Sequence, residues 1–425
     1  MKFVRNSLIA GSISILLLAC SDDDPKNTSD ASLTWRTCTE APELQCATLR
    51  VPMDYSNNDD SESISIGLTR LSATDPNSNE ALLLNPGGPG SSGNMLLELF
   101  SELQSVPESI RAKYDLIGFD PRGVGDSTPV NCNDLGFESI DEYLVDQSAI
   151  DEYLQEVDDL YQRCAEVHGD YLLYLGSANV VRDMESIRQA LNVEKMNFIG
   201  YSYGTRLAAL YLTMYPEHSG RIVLDASLSP DSDVQMLASG QMMAMQRNVE
   251  ALLGDCTRLD PLCDPMQLLT QLTSRVDQLY AEGNEQELEL LGELLILGVE
   301  DPDFGSLLLG PLLAYLENYD AQALQDFLQL LEQQDGTDDL DEHNVAAQIA
   351  IACADDDTRP DAAALGDRLT QFNQQSDLFA EVFISVAGLC SVWPPALEPL
   401  ELISTRTAPT ALVIGGTSDA STPIE

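Results

Sequence analysis

Ser202 stands inside Gly200-Tyr201-Ser202-Tyr203-Gly204, a G-x-S-x-G pattern preceded by an apolar run and followed by a helix-like segment. A strand that turns sharply into a helix strains the backbone of its serine. Glycines two before and two after remove the Cβ atoms that would collide there. Such a serine is a nucleophile candidate for acyl transfer, which also requires a base, a carboxylate that orients the base, and amide donors for a tetrahedral oxyanion. The pattern alone is weak, since ordinary Gly and Ser usage produces it by chance roughly one time in seven in a chain this long. Its surroundings decide.

Asn85-Pro86-Gly87-Gly88-Pro89-Gly90 follows a short apolar run, where a first oxyanion loop belongs when the nucleophile sits on an elbow. We assign one donor to the Gly88 amide and the other to that of Tyr203, the residue after the nucleophile. Asp419 comes just beyond a late apolar run and Gly415-Gly416-Thr417-Ser418, the place of the second member in the order Ser, Asp, His. The catalytic candidates are therefore Ser202 and Asp419. The base has no such candidate: the three histidines are His168, His218 and His343, and only six residues follow Asp419. His168 and His218 read as surface residues and His343 lies in an acidic helical stretch. The expectation is that the sequence stops short of a segment carrying the base.

These residues need a scaffold. Thr48–Val51 and Ser63–Arg70 alternate apolar and polar side chains around a turn-rich segment, which predicts a hairpin at a sheet edge. Ala81–Leu84 and Tyr114–Phe119 are shorter, more continuously apolar runs, as central parallel strands are, and Met196–Ile199 and Arg221–Asp225 also read as strands. Helices are predicted between them over Asn94–Leu103, around Val181, Met184, Ile187 and Leu191, and over Thr205–Tyr215. This alternation predicts an α/β fold with a mostly parallel sheet, its first part spanning 34–230. Residues 231–400 are rich in Leu, Gln, Glu and Asp, with helical spacing over Gln286–Leu297 and Ala321–Gln333, and predict an inserted helical cap. Ala411–Ile414 then returns to strand within a second, incomplete part of the core, 401–425.

Composition narrows the setting. Seventy acidic against 21 basic residues give a formal net charge of −49, which repels nucleic acid, so a nucleic-acid partner is set aside. At the start, Lys2 and Arg5 precede the apolar stretch Leu8–Ala19, which ends in Leu17-Leu18-Ala19-Cys20. This resembles a bacterial lipoprotein signal over residues 1–19. That implies lipid attachment at Cys20, a tether over 20–33 and a membrane-anchored, exported protein; an ordinary secretory signal is the alternative. Eight further cysteines, an even number in an exported chain, predict disulfides. Sequence proximity suggests Cys38 with Cys46, Cys132 with Cys164, Cys256 with Cys263, and Cys353 with Cys390. With no C-x-x-C pair and three histidines, no structural metal is expected, and no cofactor is implied.

Several segments share one likeness: Trp35-Arg36-Thr37-Cys38; Cys46 to Tyr55; Asn85 to Gly90; Phe119-Asp120-Pro121-Arg122-Gly123-Val124-Gly125-Asp126-Ser127; and Gly200 to Thr205. Together they resemble the secreted tripeptidyl aminopeptidases, relatives of prolyl iminopeptidase among the α/β-hydrolases. The resemblance implies a serine exopeptidase that takes short peptides or single residues from free peptide N-termini, with carboxylates of a helical cap holding the substrate ammonium. It also implies that Asp120 and Arg122 are structural, an ion pair bracing their turn. Two other readings stay open: a small-ester carboxylesterase on the same fold, and an inactive surface lipoprotein that binds peptides.

Overall fold

The computed structural model describes residues 33–57, 62–132, 143–332, 345–398, 400 and 408–423. The leader, Cys20 and His343 lie outside them. The core strands are β1 (Arg36–Thr37), β2 (Gln45–Pro52), β3 (Ser63–Leu71), β4 (Glu80–Asn85), β5 (Tyr114–Phe119), β6 (Met196–Tyr201), β7 (Ser219–Asp225) and β8 (Leu412–Ile414). They form one sheet in the order β1-β2-β3-β5-β4-β6-β7-β8. The first four neighbours pair antiparallel and the rest, from β5 to β8, parallel. The predicted hairpin is β2–β3, with Leu49 opposite Ile66.

The core helices are α1 (Gly93–Glu102), α2 (Glu108–Arg111), α3 (Gln147–His168), α4 (Ser177–Ala190) and α5 (Tyr203–Met214). Ala81 to Leu84 of β4 and Leu116 to Phe119 of β5 are buried or fully enclosed, because helices cover both faces of the parallel half. The chain leaves β4 toward β5 on one side and later returns to β6 on the other. This reversal makes the carboxyl ends of β4 and β6 a switch point, where open α/β sheets leave a crevice.

Between β7 and β8 the chain forms α6 (Val234–Gly254), α7 (Cys256–Leu259), α8 (Pro265–Glu282), α9 (Glu285–Glu300), α10 (Pro302–Asn318), α11 (Gln322–Glu332), α12 (Val345–Asp355), α13 (Ala362–Phe372) and α14 (Ala380–Gly388). Their leucine stripes close on a second core through Leu272, Leu294, Leu308, Leu312 and Phe372. Two features cross the expected division. Helix α12 packs its Ala347, Ile349 and Ile351 into the core of the sheet, whereas Ile150, Tyr153 and Val157 of α3 pack with the inserted helices.

Part of the acidic surplus has a local use. The Asp146, Asp233, Asp264, Asp301 and Asp361 side chains accept amide hydrogen bonds at the N-termini of α3, α6, α8, α10 and α13. There a carboxylate satisfies orphan donors and complements the helix dipole. All four near-neighbour disulfides form: Cys38–Cys46, Cys132–Cys164, Cys256–Cys263 and Cys353–Cys390. They fit an oxidising, exported setting. No described helix is long and apolar enough to cross a membrane.

Candidate active site

Ser202 joins β6 to α5 at φ 50° and ψ −123°, a backbone region that non-glycine residues rarely occupy. Its conformation is held from both sides. The Ser202 amide donates to the Asp225 carbonyl (3.0 Å), and its carbonyl accepts from the Thr205 amide (2.9 Å) and hydroxyl (2.6 Å). A Cβ at Gly200 would collide with the Gly204 carbonyl, and one at Gly204 would sit 2.7 Å from Asn85 Oδ1. The spacing of the motif therefore answers a direct packing demand.

The loop after β4 lies against this turn. At Gly87 (φ 109°) a Cβ would fall 2.9 Å from Ser202 Cβ and 3.1 Å from the Tyr203 nitrogen. Asn85, fully buried, accepts the Gly87 amide on its Oδ1 (3.1 Å) and so fixes the loop's entry. The Gly87 amide is thus occupied, while the amides of Gly88 and Tyr203 make no backbone hydrogen bond. Tyr203 opens α5, where the first amides of a helix have no intrahelical acceptor. The Tyr203 amide therefore sits at the free start of α5, directly after the serine.

Asp419 lies in the loop after β8, two strands from β6 and also beyond the carboxyl ends of the parallel strands. Its Oδ1 accepts from the Thr422 amide (2.8 Å) and its Oδ2 from the Thr422 hydroxyl (2.6 Å). The inserted helices anchor that loop: Asn248 of α6 donates to the Ser418 carbonyl (2.7 Å), Gln241 to that of Ser421 (2.8 Å), and Ala420 is buried among them.

The described histidines are engaged elsewhere. His168 Nε2 accepts from the Asn131 amide (3.1 Å). His218 precedes β7, at the amino end of the parallel strands, with Nδ1 3.0 Å from Glu185 Oε1 and its ring stacked on Tyr215. Neither neighbours Ser202.

One expectation is corrected. Asp120 and Arg122 do not pair with each other. Arg122 forms a bidentate ion pair with Asp183 of α4 (2.8 and 2.7 Å), both side chains being fully buried, and donates to the Pro52, Met53 and Tyr174 carbonyls. Asp120 instead accepts from Ser92 Oγ (2.5 Å) and from the Asn94 and Asp126 amides. Burial raises its carboxyl above the usual range despite those bonds. Both residues remain structural: one ties the loop after β5 to α4, the other ties it to the start of α1. Asp183, 61 residues from Arg122 in an ordinary helix, carried no sequence signal of this role.

Comparison with known proteins places the fold. Residues 80–291 match a family described as having the alpha/beta hydrolase fold. The chain is 34% identical over 218 residues to a tripeptidyl aminopeptidase of Streptomyces lividans, covering 48% of this chain and 40% of that protein. It is 32% identical over 248 residues to the serine protease Hip1 of Mycobacterium bovis, covering 56% and 47%. A carboxylesterase B of Mycobacterium tuberculosis is 29% identical over 421 residues, covering 92% of this chain and 79% of that one. The match thus spans less than half the length of the first two relatives.

Proposed function

From the premise that this chain carries an α/β-hydrolase fold and resembles the tripeptidyl aminopeptidase group, we propose that it is a serine exopeptidase working through an acyl-enzyme on Ser202. The carrying observation is the strained turn at Ser202, packed against Gly87 of the glycine loop and followed at once by the start of α5. In this reading Ser202 Oγ attacks the carbonyl of the scissile bond. The Gly88 and Tyr203 amides receive the developing oxyanion, and Asp419 orients an imidazole that takes the serine proton and returns it to the leaving amine. Neither described histidine fills that base role. Asp419 would release Thr422 or share an oxygen with it when the imidazole docks.

The substrate is a peptide with a free N-terminus, its ammonium held by carboxylates of the helical insertion acting as a cap. We place the protein outside the cytoplasm, held to a membrane through a lipid on Cys20. The test pairs aminoacyl and tripeptidyl arylamides with their N-acetylated counterparts, using the protein from its native cells. A requirement for the free amine supports the exopeptidase, and equal turnover of both overturns it.

A second reading, a carboxylesterase for small acyl esters, is favoured by the likeness to carboxylesterase B along 92% of this chain. The same fold hosts both chemistries. Hydrolysis of short p-nitrophenyl esters with no arylamide turnover would select it.

A further inference from the structure

A buried hydrogen-bond relay runs from the oxyanion turn to the end of α12. The Tyr203 phenol is enclosed, only 2% exposed, and lies 2.6 Å from Ser177 Oγ. Ser177, itself fully buried as the first residue of α4, places its Oγ 2.5 Å from Asp355 Oδ2 and donates its amide to Asp355 Oδ1 (2.6 Å). Asp355 is the last residue of α12, and Cys353, two residues before it, is bonded to Cys390. We propose that Asp355 is a positioning residue for the oxyanion site, holding Tyr203 in place through Ser177 and so registering the end of the helical insertion against the catalytic turn.

The direction of the relay follows from donor counting. An ionised Asp355 only accepts, so Ser177 must give it both amide and hydroxyl protons. The Ser177 oxygen is then left as acceptor for the Tyr203 phenol, and all three groups are satisfied. Tyr203 contributes its side chain to this relay and its backbone amide to the proposed oxyanion site; a rotation of the residue to find another partner would move both. The approach is close throughout: a Cβ on Gly176 would lie 3.0 Å from Asp355 Oδ1.

The charges facing Asp355 are Arg206 of α5, with its Nη1 3.9 Å away, and the adjacent carboxylate of Asp356. Burial pushes the Asp355 carboxyl up to about 6, against the Arg206 guanidinium and the Ser177 bonds that favour the anion, with Asp356 raising it further. Asp356 offers an internal comparison. It is equally buried, yet its Oδ2 accepts from the Val234 amide (2.6 Å) at the start of α6 and does not touch Ser177. Two consecutive carboxylates thus brace two different helices, and only one leads to the catalytic turn.

Asp355→Asn keeps the shape but breaks the relay: the amide nitrogen donates to Ser177 Oγ, the carboxylate acceptor of the Ser177 hydroxyl is gone, and either the Ser177 proton or the Tyr203 phenolic proton is left without a partner in the chain. The experiment compares arylamide kinetics of the native full-length protein with those of Asp355→Asn, Tyr203→Phe, Asp356→Asn and Ser202→Ala. The inference rests on Ser202 being the nucleophile. We expect Asp355→Asn and Tyr203→Phe to lose about tenfold in kcat at unchanged KM, as when a transition-state donor is slightly misplaced. Asp356→Asn is expected to lower the melting temperature but keep kcat within roughly twofold. Wild-type kcat in both Asp355→Asn and Tyr203→Phe, or an equal loss in Asp356→Asn, overturns the positioning role. A Ser202→Ala protein that turns over substrate, arylamide or p-nitrophenyl ester, as fast as the wild type shows instead that the nucleophile assignment has failed, and the positioning role with it.

Discussion

Gly87 and Ser202 approach so closely that a methyl group on Gly87 would lie 2.9 Å from Ser202 Cβ. The loop after β4 and the turn after β6 are therefore one packed unit across the switch point of the sheet. Gly87→Ala should push the loop away from the Tyr203 amide and reduce kcat by about 10² to 10³, the range for loss of an oxyanion donor. Steady-state kinetics beside a melting curve check this; full activity in a folded Gly87→Ala protein would show that the contact does not matter for chemistry.

Arg122 and Asp183 pair bidentately with almost no exposure of either side chain. Removing one partner strands the other charge where water cannot reach it. Asp183→Asn is expected to destabilise the protein by about 3–5 kcal/mol. Urea unfolding followed by circular dichroism reads this directly, and a loss below about 1 kcal/mol would mean that the pair is solvated.

Two buried carboxyls make opposite contributions to stability as pH changes. Burial lifts Asp355 to about 6, above its ordinary range, so its contribution is fully present in acid and is lost as pH rises through about 6. Glu185 is held below its ordinary value: burial opposes the anion, but bonds from Arg188, Gln189 and Tyr211 outweigh it. Its contribution is present above the ordinary carboxyl range and lost as pH falls below it. The melting temperature of Asp355→Asn relative to wild type should therefore rise as pH rises from about 4 through about 6, whereas that of Glu185→Gln should fall as pH rises through the acid range up to about 4.5 and stay level above it. Parallel profiles for the two variants would contradict both assignments.

The Cys353–Cys390 bond closes a loop with a sequence separation of 37 and ties the end of α12 to the segment after α14. Loop-closure entropy makes it worth about 4 kcal/mol. The Cys353→Ser/Cys390→Ser double variant should melt well below the wild type. An unchanged melting temperature would mean that packing of Ile349 and Ile351 alone holds α12.

The strained turn at Ser202 was legible in the sequence because its glycines answer a local steric demand. Gly200 and Gly204 stand where a Cβ has no room, and Ser202 sits between a continuously apolar strand and a helix. The near-neighbour disulfides and the β2–β3 hairpin were legible for the same local reason. What escaped was set by distance along the chain. Arg122 meets Asp183 and Ser177 meets Asp355 across 61 and 178 residues. In a chain with 70 acidic residues, nothing in the sequence marks Asp183 or Asp355 as different from the solvated majority. The packing of α12 into the sheet core was hidden likewise, because its alanines and isoleucines suit either core.

The central claim is that Ser202 is the nucleophile. Its most direct test is to treat the protein purified from its native cells with a fluorophosphonate and locate the adduct by peptide mass mapping. The account predicts a single phosphonyl group on Ser202, formed in proportion to the loss of arylamide turnover. An adduct on another residue, or undiminished turnover once Ser202 is modified, would contradict it.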